Sequence, residues 1–368
     1  MGDEREWIDA GLYDPAAPMA DERLELLRFL DAQGCTVEEM VTAHARGRLF
    51  ALAGDRVIRP GRDQFDLDDV AGELGRPVEQ VRTLWRAYGL VDVGGKVASP
   101  DDIEVLRTTF LLVDVIGLDA VVGLSRVIGS SLARIGDATS AAFRSRFPNM
   151  AVATSGSELT TAQAFAAIAS TTPQFGRAVD TLLRHHLEAA RMHYERTDSD
   201  DVVGEGGIRL AVGFADLCGF TGMTQRLRMD ELSRLMSGFE GVASDVVTDH
   251  DGRIVKFLGD AVMFVAPDPV SAVAAADDLV TAAELRGLQA RAGVSSGTVL
   301  ALDGDYFGPV VNLAARLVGV AEPGDVLASF DVVERIGDRR AATSLGPQQI
   351  RGFSDPVEIY RLARAGSG

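Results

Sequence analysis

The chain is short of cysteine, of positive charge and of long apolar runs. Cys35 and Cys218 lie far apart and outside any ligand-spaced pair, which argues against a disulfide scaffold or a zinc site and fits a reducing compartment. The 36 Lys and Arg stand against 54 Asp and Glu, a formal charge of −18. Bulk attraction to nucleic acid or an anionic membrane is therefore disfavoured, and an anionic substrate needs help from metal ions. The most apolar stretch, Phe110 to Leu124, carries Asp114 and Asp119 and falls short of the ~18–20 residues of a spanning helix. The opening MGDEREWID has neither a basic nor an apolar leader region, so it does not read as a signal peptide and a cytoplasmic protein is expected.

What is there suffices for two or three domains, since 46% of the 368 residues are hydrophobic and a domain takes roughly 100–200 residues. Over Asp21 to Arg46 the residues Leu24, Leu27, Leu30, Val37, Met40 and Val41 recur at helical spacing, with a break at Gly34. Asp66 to Leu90 reads as helix, Gly-containing turn and helix, with Val70, Leu74, Val81 and Leu84 facing inward. This segment resembles the helix-turn-helix of MerR-type regulators. Gln64 to Phe110, however, holds nine acidic and five basic residues, a poor recognition surface and a better packing unit. Helical periodicity continues through 110–147 and 157–196, separated by Pro148 and Ala153 to Gly156.

Thr197 to Gly207 contains three Asp, one Glu and three Gly, the composition of a joint. The expected division is a helical region over 1–196, a linker over 197–207 and a second domain over 208–368. Beyond the linker the pattern changes to strand, helix, two strands about a tight turn at Gly259-Asp260, helix and strand. This β-α-β-β-α-β order is the ferredoxin-like arrangement, so the chain is expected to be α+β.

Two carboxylates stand where strands end, Asp216 after LAVGFA and Asp260 in KFLGDAVMF. Each alone is commonly a turn residue, but the first strand and the hairpin are sheet neighbours in this fold, so the two can converge. Paired hard oxygen ligands suit Mg²⁺ or Mn²⁺ with phosphate oxygens completing the shell. After Asp216 the bend Leu-Cys-Gly-Phe-Thr-Gly leads into a helix whose first N–H groups can hold phosphate. Farther on, Asn312 and Arg316 are four residues apart and share one face of a helix starting near Pro309.

FADLCGFT, KFLGDAVMF and DYFGPVVNLAAR together resemble the core motifs of class III nucleotidyl cyclases, in family order and spacing over about 205–365. The resemblance implies a ferredoxin-like catalytic domain that converts ATP or GTP to the 3′,5′-cyclic nucleotide and diphosphate with two divalent ions, Mg²⁺ or Mn²⁺. It assigns the ions to Asp216 and Asp260, base choice to Lys256 and Asp305, ribose orientation to Asn312 and transition-state charge to Arg316, beside the phosphate-holding bend at Phe220 and Thr221 read above. Arg351, in IRGFSDPVEIYRL, matches the triphosphate-binding position, where the family usually has Lys. Lys can serve adenine N1 and Asp can accept from the 6-amino group, so the pair argues for ATP. Phe257-Leu258 and Cys218 depart from the usual residues without removing a needed group. Because the family builds each site from two subunits and this chain carries both halves, a homodimer is implied.

The first half resembles, at the level of pattern, the helical regulatory region of actinobacterial class III cyclases, a group with autoinhibited, pH-responsive members. It implies a regulatory domain over 1–196 with a coupling helix over 175–196. His185, His186 and His193 fall on that helix, three of the five histidines of the chain, and histidine titrates near neutrality. The apolar stretch from Phe110 to Ile128 is expected to be buried dimer core, with a pocket for a lipid or other hydrophobic effector as the alternative. The rival to the cyclase reading is a DNA-binding regulator that uses 66–90 and carries a nucleotide-sensing second half.

Overall fold

The computed structural model describes residues 4–59, 64–146, 157–196 and 207–364, apart from the side chains at 143–146, 192–196 and 221. The expected linker over 197–207 lies outside the described residues except for Gly207, as do Pro148 and 153–156. The chain forms two compact units, Met1–His186 and Leu187–Gly368.

The first unit is helical: α1 (Glu4–Asp9), α2 (Ala20–Ala32), α3 (Val37–Ala45), α4 (Leu52–Ile58), α5 (Leu67–Leu74), α6 (Val78–Ala87), α7 (Pro100–Ile116), α8 (Leu118–Arg146), α9 (Glu158–Ala169) and the start of α10 (Thr172–Arg196). One core gathers Trp7, Leu26, Leu27, Leu30, Met40 and Leu49. A second gathers Val70, Val81, Leu84, Trp85, Leu106 and Phe110 around α5 to α8, so three of the four inward positions read at 66–90 are fully buried and Leu74 packs beside them. Asp66 caps α5 by accepting from the Asp68 and Asp69 N–H groups, and Gly75 closes it in the left-handed region. The cations here are spent on acids: Arg76 on Asp114, Arg82 and Arg86 on Asp92, and Arg107 on Glu73 and Glu104.

Within one chain the apolar stretch from Phe110 to Ile128 is divided and partly covered. Gly117, at φ 86°, parts α7 from α8, and Phe110, Val121 and Val122 are buried while Leu111 and Val115 are 64% and 79% exposed. Among the described residues no helix is long and apolar enough to cross a membrane.

The second unit is built on β1 (Gly207–Leu217), followed by α11 (Phe220–Thr224), α12 (Met229–Asp249), β2 (Arg253–Leu258), β3 (Ala261–Ala266), α13 (Pro269–Glu284), β4 (Ala290–Leu302), β5 (Asp305–Phe307), α14 (Pro309–Val320), β6 (Val326–Ser329), α15 (Phe330–Ile336), β7 (Ala342–Gln348) and β8 (Val357–Leu362). The sheet order is β2-β3-β1-β4-β6-β8-β7, with β5 on β4. Its first four strands have the ferredoxin-like order, and β1, central among them, is antiparallel to both β3 and β4. One face carries the core of Phe239, Ala243, Phe264, Ala276 and Val280 from β3, α12 and α13. The other carries Leu210, Val212, Met263, Val299, Tyr306, Ala314 and Val318. Two glycines set distances: a Cβ on Gly213 would fall 2.1 Å from the Phe264 ring, and one on Gly293 would fall 2.6 Å from the Ala314 carbonyl oxygen. α14 therefore rests directly on the β4 backbone.

Candidate active site

β1 ends one residue after Asp216, in antiparallel register with Ala261 of β3 and Arg291 of β4. The β2–β3 connection is Gly259-Asp260, with Gly259 at φ 67°, a conformation L side chains rarely adopt. The Leu217 N–H donates to the Asp260 carbonyl at 3.3 Å, so backbone bonding binds the hairpin turn to the end of β1. The two carboxylates are close enough for the Asp260 charge to act on Asp216. Burial, aided by that charge, pushes the Asp216 carboxyl above its ordinary value, against the Arg291 guanidinium, which donates to Oδ2 at 3.1 and 3.4 Å.

This is a site short of positive charge. No group of three or more His, Cys, Asp or Glu side chains suited to a metal occurs among the described residues, so a cation held by Asp216 and Asp260 would take its other ligands from water and phosphate oxygens. That donor set, two hard carboxylates on a rigid rim, fits Mg²⁺ or Mn²⁺.

Next to Asp216, Cys218 donates its N–H to the Gln289 carbonyl at 2.7 Å, and burial pushes its thiol up. Gly219, left-handed at φ 73°, turns the chain into α11, which opens with Phe220 and Thr221. Phe220 packs against the core; the Thr221 side chain lies outside the described residues.

A second pair forms between β2 and β5. Lys256 Nζ donates to Asp305 Oδ2, while Asp305 Oδ1 accepts from the Tyr306 N–H at 2.8 Å. The two predicted base-choosing residues thus meet although 49 positions apart. Asn312 and Arg316 share the exposed side of α14, with no side-chain hydrogen bond or ion pair to the described residues. Among the described residues no side-chain hydrogen bond or ion pair joins Asn312 or Arg316 to the two carboxylates. Arg351 is exposed in the turn between β7 and β8. His185 and His186 are exposed on α10, and the His193 side chain lies outside the described residues.

A match to the adenylate cyclase regulatory domain covers residues 6–191, and a match to the adenylate and guanylate cyclase catalytic domain covers 208–364. The chain belongs to the adenylate cyclase family. It is 30% identical to a Mycobacterium tuberculosis protein named pH-sensitive adenylate cyclase, over 98% of this chain and 94% of that one. An uncharacterised M. tuberculosis protein is 42% identical over 96% of this chain and 92% of its own length. Among solved structures, the adenylyl cyclase CyaB from P. aeruginosa is 28% identical, covering 43% of this chain and 95% of that chain, with a TM-score of 0.41.

For a member of this family, sequence reading missed Arg291. It bridges Asp216 to the Ala321 carbonyl after α14, the latter at 3.1 Å, and nothing near it in sequence marks it out. Only the antiparallel β1–β4 register places it opposite Asp216.

Proposed function

We propose that this enzyme converts ATP to 3′,5′-cyclic AMP and diphosphate at sites shared between two copies of the chain, under control of its first half. The observation that carries the reading is the pairing of Asp216 with Asp260 at the rim of a sheet whose β2 and β5 present Lys256 and Asp305. In the reaction a bond forms between the ribose 3′-oxygen and the α-phosphorus, the bond to the β-bridging oxygen breaks, diphosphate leaves and the 3′-hydroxyl proton is released.

Asp216 and Asp260 would hold the two divalent ions, which neutralise the triphosphate and lower the pKa of the 3′-hydroxyl. Gly219 and the first N–H groups of α11, at Phe220 and Thr221, cradle phosphate oxygens, and Arg291 adds a guanidinium beside the carboxylates. Lys256 donates to adenine N1 and Asp305 accepts from its 6-amino group. Guanine, with O6 and N1–H at these positions, meets the wrong polarity twice. The partner copy brings Asn312 to orient the ribose and Arg316 to stabilise charge on the pentavalent phosphorus; their exposure on α14, without partners among the described residues, suits a role across an interface. Arg351 supplies further charge to the triphosphate.

Residues 1–196 act as the regulatory domain, 175–196 as its coupling helix and 208–368 as the catalytic domain. His185, His186 and His193 on that helix provide for a response to acidity, and a hydrophobic effector at the first half is a second input. DNA binding through 66–90 has no support, because the arginines there are engaged by acids.

Turnover of ATP and GTP by the full chain with Mn²⁺ or Mg²⁺ tests the reading. ATP is expected to be preferred, Asp260→Ala to abolish cyclic nucleotide formation, and the double substitution Lys256→Glu with Asp305→Cys to move preference toward GTP. Full activity in Asp260→Ala, or a preference indifferent to the double substitution, would overturn it.

A further inference from the structure

β5 has three residues and pairs with β4 alone among the described strands. It follows a two-residue turn, Asp303-Gly304, in which both residues have positive φ, 53° and 76°, the geometry of a tight hairpin. Asp305 is the first residue after that turn. A strand so short does not by its own ladder keep a carboxylate fixed against a lysine on β2, three strands away from β4 in the sheet order.

A second contact joins the same two strands. The Arg253 guanidinium donates to the Tyr306 hydroxyl at 2.8 Å and lies 5.6 Å from the centre of the Tyr306 ring. Tyr306 is 8% exposed, packed on the sheet face that also holds Met263, Val265 and Val299. Both contacts depend on an irregularity in β2. Arg253 pairs with Val265 and Lys256 with Met263, with a register shift between Ile254 and Lys256. In a regular strand residues 253 and 256 would point to opposite faces. The extra residue of the bulge puts them on the face to which Met263 and Val265 belong, so both reach β5. Packing alone does not require this arrangement, since phenylalanine would fill the Tyr306 volume without needing a donor for a buried hydroxyl. Nor does Arg253 make an ion pair among the described residues.

We propose that Arg253 and Tyr306 form a positioning latch that holds Asp305 in place opposite Lys256 and thereby sets the preference for adenine over guanine. The inference rests on the base-choosing role of Lys256 and Asp305 proposed above. In the free enzyme Lys256 and Asp305 engage each other, so a bound base must take up part of their hydrogen bonding. The Arg253–Tyr306 contact involves no group offered to the base and keeps β5 against β2 while that exchange takes place. Tyr306 and Arg253 are positioning residues acting through Asp305.

The test compares steady-state kinetics of the full chain on ATP and GTP for Tyr306→Phe, Arg253→Met and Arg253→Lys, with Lys256→Glu/Asp305→Cys as the control for base choice. Tyr306→Phe and Arg253→Met are each expected to lower the ATP-to-GTP ratio of kcat/KM by about tenfold, the scale for losing a hydrogen bond to a charged group. The loss should fall on KM for ATP, with kcat held within about threefold, because the groups at the reacting atoms are untouched. Arg253→Lys keeps a donor and should recover part of the ratio. If the latch variants lower thermal stability but leave the ratio at the wild-type value, or depress ATP and GTP turnover by one common factor, the latch is wrong and Tyr306 is structural only. A wild type without ATP preference, or a control double variant that leaves preference unmoved, would bring down the base-choice reading and the latch with it. A control that shifts preference while the latch variants do not would sink the latch alone.

Discussion

Asp216 is held between burial and the Asp260 charge, which disfavour its ionised form, and Arg291, which favours it; the balance lies above the ordinary value of 3.8. A carboxyl with a raised pKa contributes stability that is complete below 3.8 and is lost as pH rises through the folded-state value. Ionising Asp216 in the folded chain therefore costs stability. Asp216→Asn is expected to melt no lower than wild type at pH 7 in chelator, with the difference vanishing in acid. Its cyclase activity should meanwhile drop by on the order of a hundredfold or more, the scale for losing an electrostatic stabiliser. A lower melting temperature at pH 7 would contradict the sign. At this scale the sequence was partly legible. Asp216 and Asp260 stand at strand ends and Asn312 and Arg316 share a helix face by spacing, but their roles, and the choice of Lys256 and Asp305 at all, came from the motif resemblance. Arg291 and Arg253 were silent, because each acquires its partner 75 or 53 positions away through pairing and packing.

The elements that present these groups depend on contacts that local pattern does not show. α14 sits on β4 because Gly293 leaves room for the Ala314 carbonyl and Leu317. Gly293→Ala is expected to cost ~1–3 kcal/mol through overpacking and to lower kcat by moving Asn312 and Arg316, readable as a fall in melting temperature with reduced turnover. The chain end is secured differently. Asp277 on α13, 3% exposed, receives the Arg340 guanidinium at 2.6 Å, and Arg364 lies 3.7 Å away. Removing one partner of a buried ion pair strands the other, so Asp277→Ala should destabilise by ~3–5 kcal/mol; denaturant unfolding with an unchanged midpoint would disprove the role. The longer helices, among them α2, α3, α5, α6, α8, α12, α13 and α14, and the strands through β4 followed from apolar spacing and turn residues, whereas the short α1, α4 and α15 did not. The later strands did not, because β6 has four residues and β7, ATSLGPQ, lacks any alternation; long-range partners make them strands.

For the whole molecule the two halves of the proposed site lie on separate parts of one chain, and assembly is what would join them. Asp216→Ala and Arg316→Ala should each be inactive alone, and equal mixing with free subunit exchange should restore about a quarter of wild-type activity, since half the dimers would carry one intact site of two. Absence of any regain on mixing would end the shared-site model. A helical half, a joint, a ferredoxin-like half and the cyclase motifs can all be read along the chain, because periodicity, turn chemistry and motif spacing are local properties of neighbouring residues. The closeness of Asp216 to Asp260, the Arg291 counter-charge, the seat of α14 and the double tie from β2 to β5 emerge only on folding. The seat of α14 depends on helix packing at Gly293. The others depend on register between distant strands, where a shift of one residue would turn Asp216, Arg291, Arg253 and Lys256 to the other face.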